Sequence, residues 1–314
     1  MGGAPFEIVP LGPQHVAAAA ALAAEHVAAL RARLPLLPER WTQADAYLDR
    51  LGELIGAGPA AAALLDGQLV GYLGGFGWER VGTRNVFSPE WANVCVGESA
   101  GEVRQELYAE VAREWLADDR PVHYIGLLPS DGEAIRALGW LGFGHSNADG
   151  LRSLDPVAAG DDIAVVAASP ADAADVLELE MGLRAHLAAT PLFFVHGEAP
   201  SIGDVAEQLR DEQRVTLLAR DERGPLAYLR IGPSSDDAAT IIRDPGTASI
   251  TRAFTRADRR GSGVATTLLN AALAWARERG HVRCAVDYET ANLLASRFWA
   301  RYFEPVGVTV RRRI

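Results

Sequence analysis

The sequence predicts an α/β protein of two related domains, each a mixed, mostly antiparallel sheet flanked by helices. Three observations carry that expectation. The chain has 314 residues, about twice the commonest domain size. Its halves repeat one order of elements at an offset of 157 residues, which aligns Pro13 with Pro170, Gly67 with Gly224 and Leu69 with Leu226. Short β-type runs bounded by turn residues alternate with long helical runs along the whole chain.

The first copy opens on "FEIVPLGPQHVAAAAALAAEHVAALRARLPLLP", read as a strand, a turn at Pro13 and a helix that stops before the prolines. "DIAVVAASPADAADVLELEMGLRAHLAATPLFF" repeats it, with Ser169 as helix cap and Pro170 in the first turn. Hairpins follow in both copies: "AAALL" with "DGQLVGYLGG", and "VTLLAR" with "RGPLAYLRIG". The first half continues through "EWANVCVGESAGEVRQELYAEVAREWLADD", a strand, turn and helix, to "VHYIGLLPSDGEAIRALGWLGF". The polar joint "DPVAAGDD" at 155–162 reads as a short linker, dividing the chain into domains 1–157 and 158–314.

In the second half "ASITRAFT" is a strand running into "RADRRGSG". After it Val264, Leu268, Leu269, Ala272, Leu273 and Ala276 recur at helical spacing, Asn270, Arg277 and Glu278 form the polar side, and Gly280 is the stop. "VRCAV" is a strand, "NLLASRFWARYF" a helix, and "VGVTVRRRI" a closing strand.

Composition narrows the function classes. With 49% hydrophobic and 23% charged residues and no apolar run of membrane-spanning length, a cytoplasmic protein with no membrane partner is expected. Cys95 and Cys284 are the only cysteines, too few for a disulfide framework or a cysteine-built metal site, and no metal-ligand spacing stands out. Residues 1–155 hold 20 acidic and 11 basic side chains against 21 and 19 in the remainder. That acidic field works against nucleic-acid binding and mildly favours cationic small molecules. Every basic side chain is arginine, and the sequence has no lysine, so lysine-based covalent chemistry is ruled out. A homodimer is as compatible with the letters as a monomer.

The strand "ASITRAFT", the glycine turn and the helix that stops at Gly280 can build an anion site. Consecutive backbone N–H groups face one concavity, and the unsatisfied donors of the first helical turn favour phosphate. Gly261 and Gly263 allow the backbone its approach, while Arg259 and Arg260 either add charge or project into water. "GSGVATT" lacks the Gly-Lys-Ser/Thr of a nucleotide-binding loop. It also reaches Thr266 where a dinucleotide fingerprint needs its third glycine. Read alone, the glycines fit an ordinary tight turn equally well.

"TRADRRGSGVATTLL" resembles the acyl-CoA-binding signature of the GNAT superfamily of N-acetyltransferases, Arg/Gln-x-x-Gly-x-Gly/Ala, with Arg260, Gly263 and Ala265 at its defined places. The resemblance implies that Ser262, Gly263, Val264 and Ala265 cradle a pyrophosphate and that Gly261 shapes the approach. It also implies that the strand end at Phe254 and Thr255 meets the pantetheine arm and acyl carbonyl. "NLLASRFW" is similar to the family's Asn-x-x-Ala-x-x-Phe-Tyr, with Asn292, Ala295 and Phe298 in place. Trp299 stands where the family has a tyrosine able to return a proton to the departing thiolate, and Phe303 replaces a usual glycine. The resemblance covers residues 160–314. The first half keeps the outline, making two GNAT-like domains. However, its turn "VGESAGE" lacks the arginine and puts Glu98 and Glu102 where phosphate would sit. This implies a degenerate copy with a structural or substrate-pocket role.

By resemblance, then, the expected activity is transfer of an acetyl group from acetyl-CoA, or of another acyl group from its acyl-CoA co-substrate, directly to an amine. The acceptor is a small molecule or peptide, small or cationic; a noncatalytic acyl-CoA-binding regulatory module is the alternative. Glu289 is the candidate general base, ahead of Asp287, with helix capping or solvation as the competing roles. Tyr288 and Tyr302 are the candidate phenols, with packing as the competing role. His186 and His196 are candidates for an acceptor pocket, and His281 for a helix-end contact.

Overall fold

A computed structural model describes residues 6–158 and 163–314; the last part of the expected linker, 159–162, lies outside the described residues. The first half contains β1 (Glu7–Pro10), α1 (Val16–Arg33), α2 (Asp45–Ala57) and the hairpin β2 (Ala60–Leu65) with β3 (Gln68–Gly74). It continues with β4 (Phe76–Arg80), β5 (Thr83–Ser88), β6 (Asn93–Cys95), α3 (Ala100–Ala117), β7 (Val122–Leu127), α4 (Gly132–Trp140) and β8 (Gly144–Ser153). The second half contains β9 (Val165–Ala167), α5 (Ala173–Ala188), α6 (Ile202–Gln208), β10 (Val215–Asp221) and β11 (Gly224–Pro233). Then follow β12 (Thr247–Thr255), α7 (Val264–Glu278), β13 (Arg283–Glu289), α8 (Leu293–Tyr302) and β14 (Glu304–Arg313). No helix among the described residues is long and apolar enough to cross a membrane.

The compact units do not follow the linear division at 157/158. The first unit is Met1–Ala148 with Ala239–Ile241 and Pro305–Ile314, and the second is Asp149–Ala238 with Ile242–Glu304. Each half therefore sends its last strand elsewhere: β14 joins the first unit, and the later part of β8 joins the second.

In the first unit the strands form two sets, β1-β2-β3-β6 and β4-β5-β7-β14. β14 is antiparallel to β7, Val308–Arg313 lying against Leu127–Val122, and β5 is parallel to β7. α3 packs between them through Val103, Leu107, Val111 and Trp115, in one core with Leu73, Ile125 and the β14 side chains Val308 and Val310. The 239–241 turn is held here as well: Trp91 Nε1 donates to Thr240 Oγ1 (3.2 Å), and the Ile241 N–H donates to Glu90 Oε1 (3.0 Å).

In the second unit the strand order is β8-β13-β12-β11-β10-β9. The β9-β10, β10-β11 and β11-β12 pairs are antiparallel, and β12-β13 is parallel. All six apolar residues expected on α7 are buried. They pack on Leu229 and Ile231 of β11, Ile250 of β12, and Cys284 and Val286 of β13. α5 covers the other face, placing Leu179 on Leu218 and Tyr228. The segment before the expected linker is strapped to α7: Asn270 accepts from the Val157 N–H (2.8 Å) and donates to its carbonyl (2.7 Å), and Arg277 donates to Leu154 O (2.6 Å).

Phe303, unusual at its position, is accommodated by Gly150 of β8. A Cβ on Gly150 would lie 2.7 Å from the Phe303 Cβ, and the Phe303 ring is buried and sits edge-on to Trp299 at 5.5 Å. Gly150→Ala is expected to destabilise the second unit by about 1–3 kcal/mol, the usual cost of overfilling a packed core. Denaturant unfolding measures it; no shift in midpoint would show that the two segments can part without penalty.

Candidate functional site

The turn between β12 and α7 has the form an anion site requires. Gly263 is the N-cap of α7 at φ 88°, ψ −13°, and Gly261 has φ 80°. Both are in the left-handed region, which other residues enter at a cost of about 1–2 kcal/mol. A glycine cap offers no side-chain acceptor, so the helix starts with open donors. The Thr266 and Thr267 N–H groups both donate to Gly263 O at 3.0 Å. From Gly261 to Ala265 the amides have no acceptor among the described residues. Such successive free donors at the positive end of a helix form an anion nest.

The arginines around it divide the work unequally. Arg259 is ion-paired to Asp221 at 2.5 Å, which ties the turn to the β10–β11 hairpin. Arg256 pairs with Asp258 (3.3 Å) and Glu178 (3.6 Å). Arg260 donates from Nε to Thr255 O at 3.2 Å, with its guanidinium 5.8 Å from the centre of the Phe254 ring. Arg260 thus braces the strand end while remaining exposed. Beside the turn lies a depression of about 370 Å³ whose lining includes Leu226, Val264, Ser262, Arg220 and Arg259.

β12 then parts from β13. The two strands pair only from Thr247–Ile250 to Arg283–Val286, although β12 continues to Thr255 and β13 to Glu289. The divergence coincides with an irregularity on the other edge of β12. Ile231 pairs with Ile250 and Arg230 with Arg252, leaving Thr251 as the extra residue. A bulge bends its strand; past it β12 stays paired with β11 but not with β13, so the backbone of 251–255 is open toward β13.

Alternation sorts the side chains at this gap. Cys284, Val286 and Tyr288 lie on the α7 face and pack with its core. Asp287 and Glu289 therefore occupy the α5 face. Arg252 shares that face, because its register partner Arg230 is bound to Glu180 of α5 at 2.7 Å. So does Phe254, whose ring approaches Gly182 of α5 so closely that a Cβ there would lie 2.7 Å away. The Tyr228 hydroxyl, also on this face, is buried with no hydrogen-bond partner among the described residues.

Asp287 is exposed, and its carboxyl still lies among enough protein to be desolvated in part. Desolvation first, then the charges of Asp237 and Glu289, push the Asp287 carboxyl up to about 6, against smaller lowering influences from a backbone N–H and Arg252.

The other sequence candidates are distributed around this gap. Tyr288 faces the α7 core, away from Asp287, and burial beside Asp149 raises its phenol above the ordinary value. The Tyr302 hydroxyl lies 3.4 Å from Thr266 Oγ1, which brings a phenol to the first turn of α7. Trp299 is buried and takes no part in the opening. Asn292 caps α8 by accepting from the Ala295 N–H (3.3 Å), and its Oδ1 is 3.2 Å from His186 Nε2. Phe298 is half-buried, stacked edge-on to Tyr302 at 5.1 Å. His196 is hydrogen-bonded to Arg184 O (3.0 Å), and His281 to Pro245 O (3.2 Å) beyond the end of α7.

The corresponding place in the first unit is filled by the chain itself. There β6 pairs with β3 and not with β7. The opening is crossed by Asn93, whose Nδ2 donates to Gly126 O of β7 at 3.0 Å. Arg104 of α3, only 1% exposed, donates to Asn93 O (2.9 Å) and Oδ1 (2.7 Å) and to Asp131 Oδ2 (3.1 Å). Asp131 caps α4 as Asn292 caps α8. The sequence pointed to Glu98 and Glu102 as the obstacle; the buried Arg104 network is a second one, and the arginine alone gave no sign of where it would point.

Residues 184–303 match the family model described as Acetyltransferase (GNAT) family. That segment of the second half is similar to the GNAT acetyltransferase family. The whole chain is also similar in structure to a GCN5-related N-acetyltransferase from Sphaerobacter thermophilus, at 15% identity and TM-score 0.59, over 100% of this chain and 97% of that one. A GCN5-related glucosamine N-acetyltransferase region of a fungal multi-domain GH3 beta-N-acetylglucosaminidase aligns at 13% identity and TM-score 0.57, over 99% of this chain and 38% of that one. These likenesses concern the fold. Among curated proteins, none matches the chain. The GNAT segment begins inside α5 and ends at Phe303, so it contains the glycine turn, the β12–β13 gap and both helix caps.

Proposed function

We propose that this GNAT protein transfers the acetyl group of acetyl-CoA, or a close acyl relative, to an amine at the β12–β13 gap, with one coenzyme bound per chain. The observation that carries this reading is the junction of the open amides at 261–265 with the unpaired strand edge at 251–255. The first accepts a diphosphate, and the second accepts an extended amide-bearing arm by backbone pairing. Acyl-CoA supplies an activated acyl carbon as a thioester.

This chain's residues then have separable tasks. The 251–255 backbone orients the acyl carbonyl and stabilises the charge that develops on its oxygen. Asp287, at the start of the gap beside Arg252, is our assignment for the base that takes the ammonium proton, directly or through water, with its carboxyl pushed up to about 6. The amine nitrogen bonds to the acyl carbon, the carbon–sulfur bond breaks, and the leaving thiolate takes a proton. Tyr302 is assigned to that proton return, since Trp299 has no acidic group to offer.

Calorimetry with acetyl-CoA and assay of CoA release across a panel of amines test the proposal. Binding at micromolar scale with acceptor-dependent release is expected, and binding without release by any amine would favour a noncatalytic module. Gly263→Asp should weaken coenzyme binding at least about tenfold. An aspartate at φ 88° is strained by about 1–2 kcal/mol, and its charge opposes the diphosphate. Unchanged affinity in a folded variant would remove the turn from the site.

A further inference from the structure

We infer that the acceptor is a zwitterion, an amine that carries its own carboxylate, with the amine directed to Asp287 and the carboxylate held by Arg252. This rests on the acyl-transfer reading above and adds the class of its second substrate. The argument starts from the bulge. The extra residue Thr251 shifts the pattern of β12 so that Arg252, register partner of Arg230, emerges on the α5 face just past the last paired position, Ile250–Val286. Asp287 is the next residue of β13 and emerges on the same face. A cation and an anion thus flank the start of the gap on adjacent strands.

They do not neutralise each other. Arg252 makes no ion pair among the described residues, whereas the neighbouring Arg230 is bonded to Glu180 at 2.7 Å. Arg252 is exposed and its field still reaches Asp287 and Tyr228. An exposed guanidinium held apart from a nearby carboxylate presents two opposite charges across a space. That pattern complements a molecule with the reverse charges at its two ends, and the guanidinium fork suits a carboxylate in two-point contact. Asp237 and Glu289 add negative charge around Asp287. They strengthen the amine end and leave Arg252 as the feature that a simple amine would not use.

The test compares amino acids of different amine–carboxylate spacing with their own carboxamides, using acetyl-CoA as donor and the full chain. At least one amino acid should be acetylated with kcat/KM at least about tenfold above its carboxamide. Arg252→Gln should raise KM for that amino acid about tenfold more than it raises KM for the carboxamide. Equal or better turnover of the carboxamides, or an unaltered KM in Arg252→Gln, would overturn the inference while the transfer reading stands. So would normal coenzyme binding with no amino acid turned over. Absence of coenzyme binding would overturn the transfer reading itself, and this inference with it.

Discussion

Removing residues 305–314 is expected to unfold the first unit and leave the GNAT segment folded. Sequence order suggests the reverse, since the deletion lies just beyond the matched segment at 184–303. The contacts decide otherwise. β14 completes the sheet edge at β7 through register pairs from Val308–Leu127 to Arg313–Val122. It buries Val306, Val308 and Val310 to 0%, 9% and 2% exposure. Three buried valines at about 1.5–3 kcal/mol each amount to roughly 5 kcal/mol or more, comparable with the whole stability of many domains. Deletion also leaves the β7 hydrogen-bonding edge open. Hydrogen exchange reads the two units separately. Amides of Val122–Leu127 should lose protection while those of α7 keep it, and acetyl-CoA should still bind. Protected β7 amides in the truncated chain would mean that β14 is dispensable.

That exchange of last strands marks a limit of sequence reading. The repeat offset was legible because paired turn glycines and prolines recur at fixed places, and the hairpins and α7 follow from local pattern. β8 and β14, by contrast, are both short strands near the end of a half, and nothing in their letters states which sheet edge they will complete. Pairing partners depend on edges that exist only once each unit has formed. The first unit's closure was similarly hidden. "VGESAGE" shows acidic residues, whereas Arg104 lies one helical turn later and its burial with Asn93 and Asp131 follows from tertiary packing alone.

At the site, the glycine turn could be found because its chemistry is backbone chemistry, and glycine is the letter that marks it. Side-chain roles were less legible. Arg259 and Arg260 look alike in the sequence, but Asp221 claims one and Thr255 O the other. Asp287 and Glu289 share a strand face, and the desolvation that raises Asp287 follows from tertiary packing, as does a bulge at Thr251 that no residue type announces.

Asp287→Asn is expected to lower kcat/KM for the amine about 10²–10⁴-fold, the range associated with a positioned base, with acetyl-CoA affinity unchanged. The pH dependence gives the discriminating readout. A base must be unprotonated to act, so with its carboxyl pushed up to about 6 the wild-type rate should rise as pH increases through about 6 and then level. The variant's residual activity should lack that limb. The sign for stability is opposite. Because the folded carboxyl holds its proton more tightly than the unfolded one, ordinarily near 3.8, its favourable contribution is complete below the unfolded value. It is lost as pH rises through about 6. Asp287→Asn should therefore be at least as stable as wild type at pH 8 while being far less active, whereas a merely structural carboxylate would lose stability and activity together. Retention of the acidic limb in the variant would transfer the base role to another group, with Glu289 the next to replace.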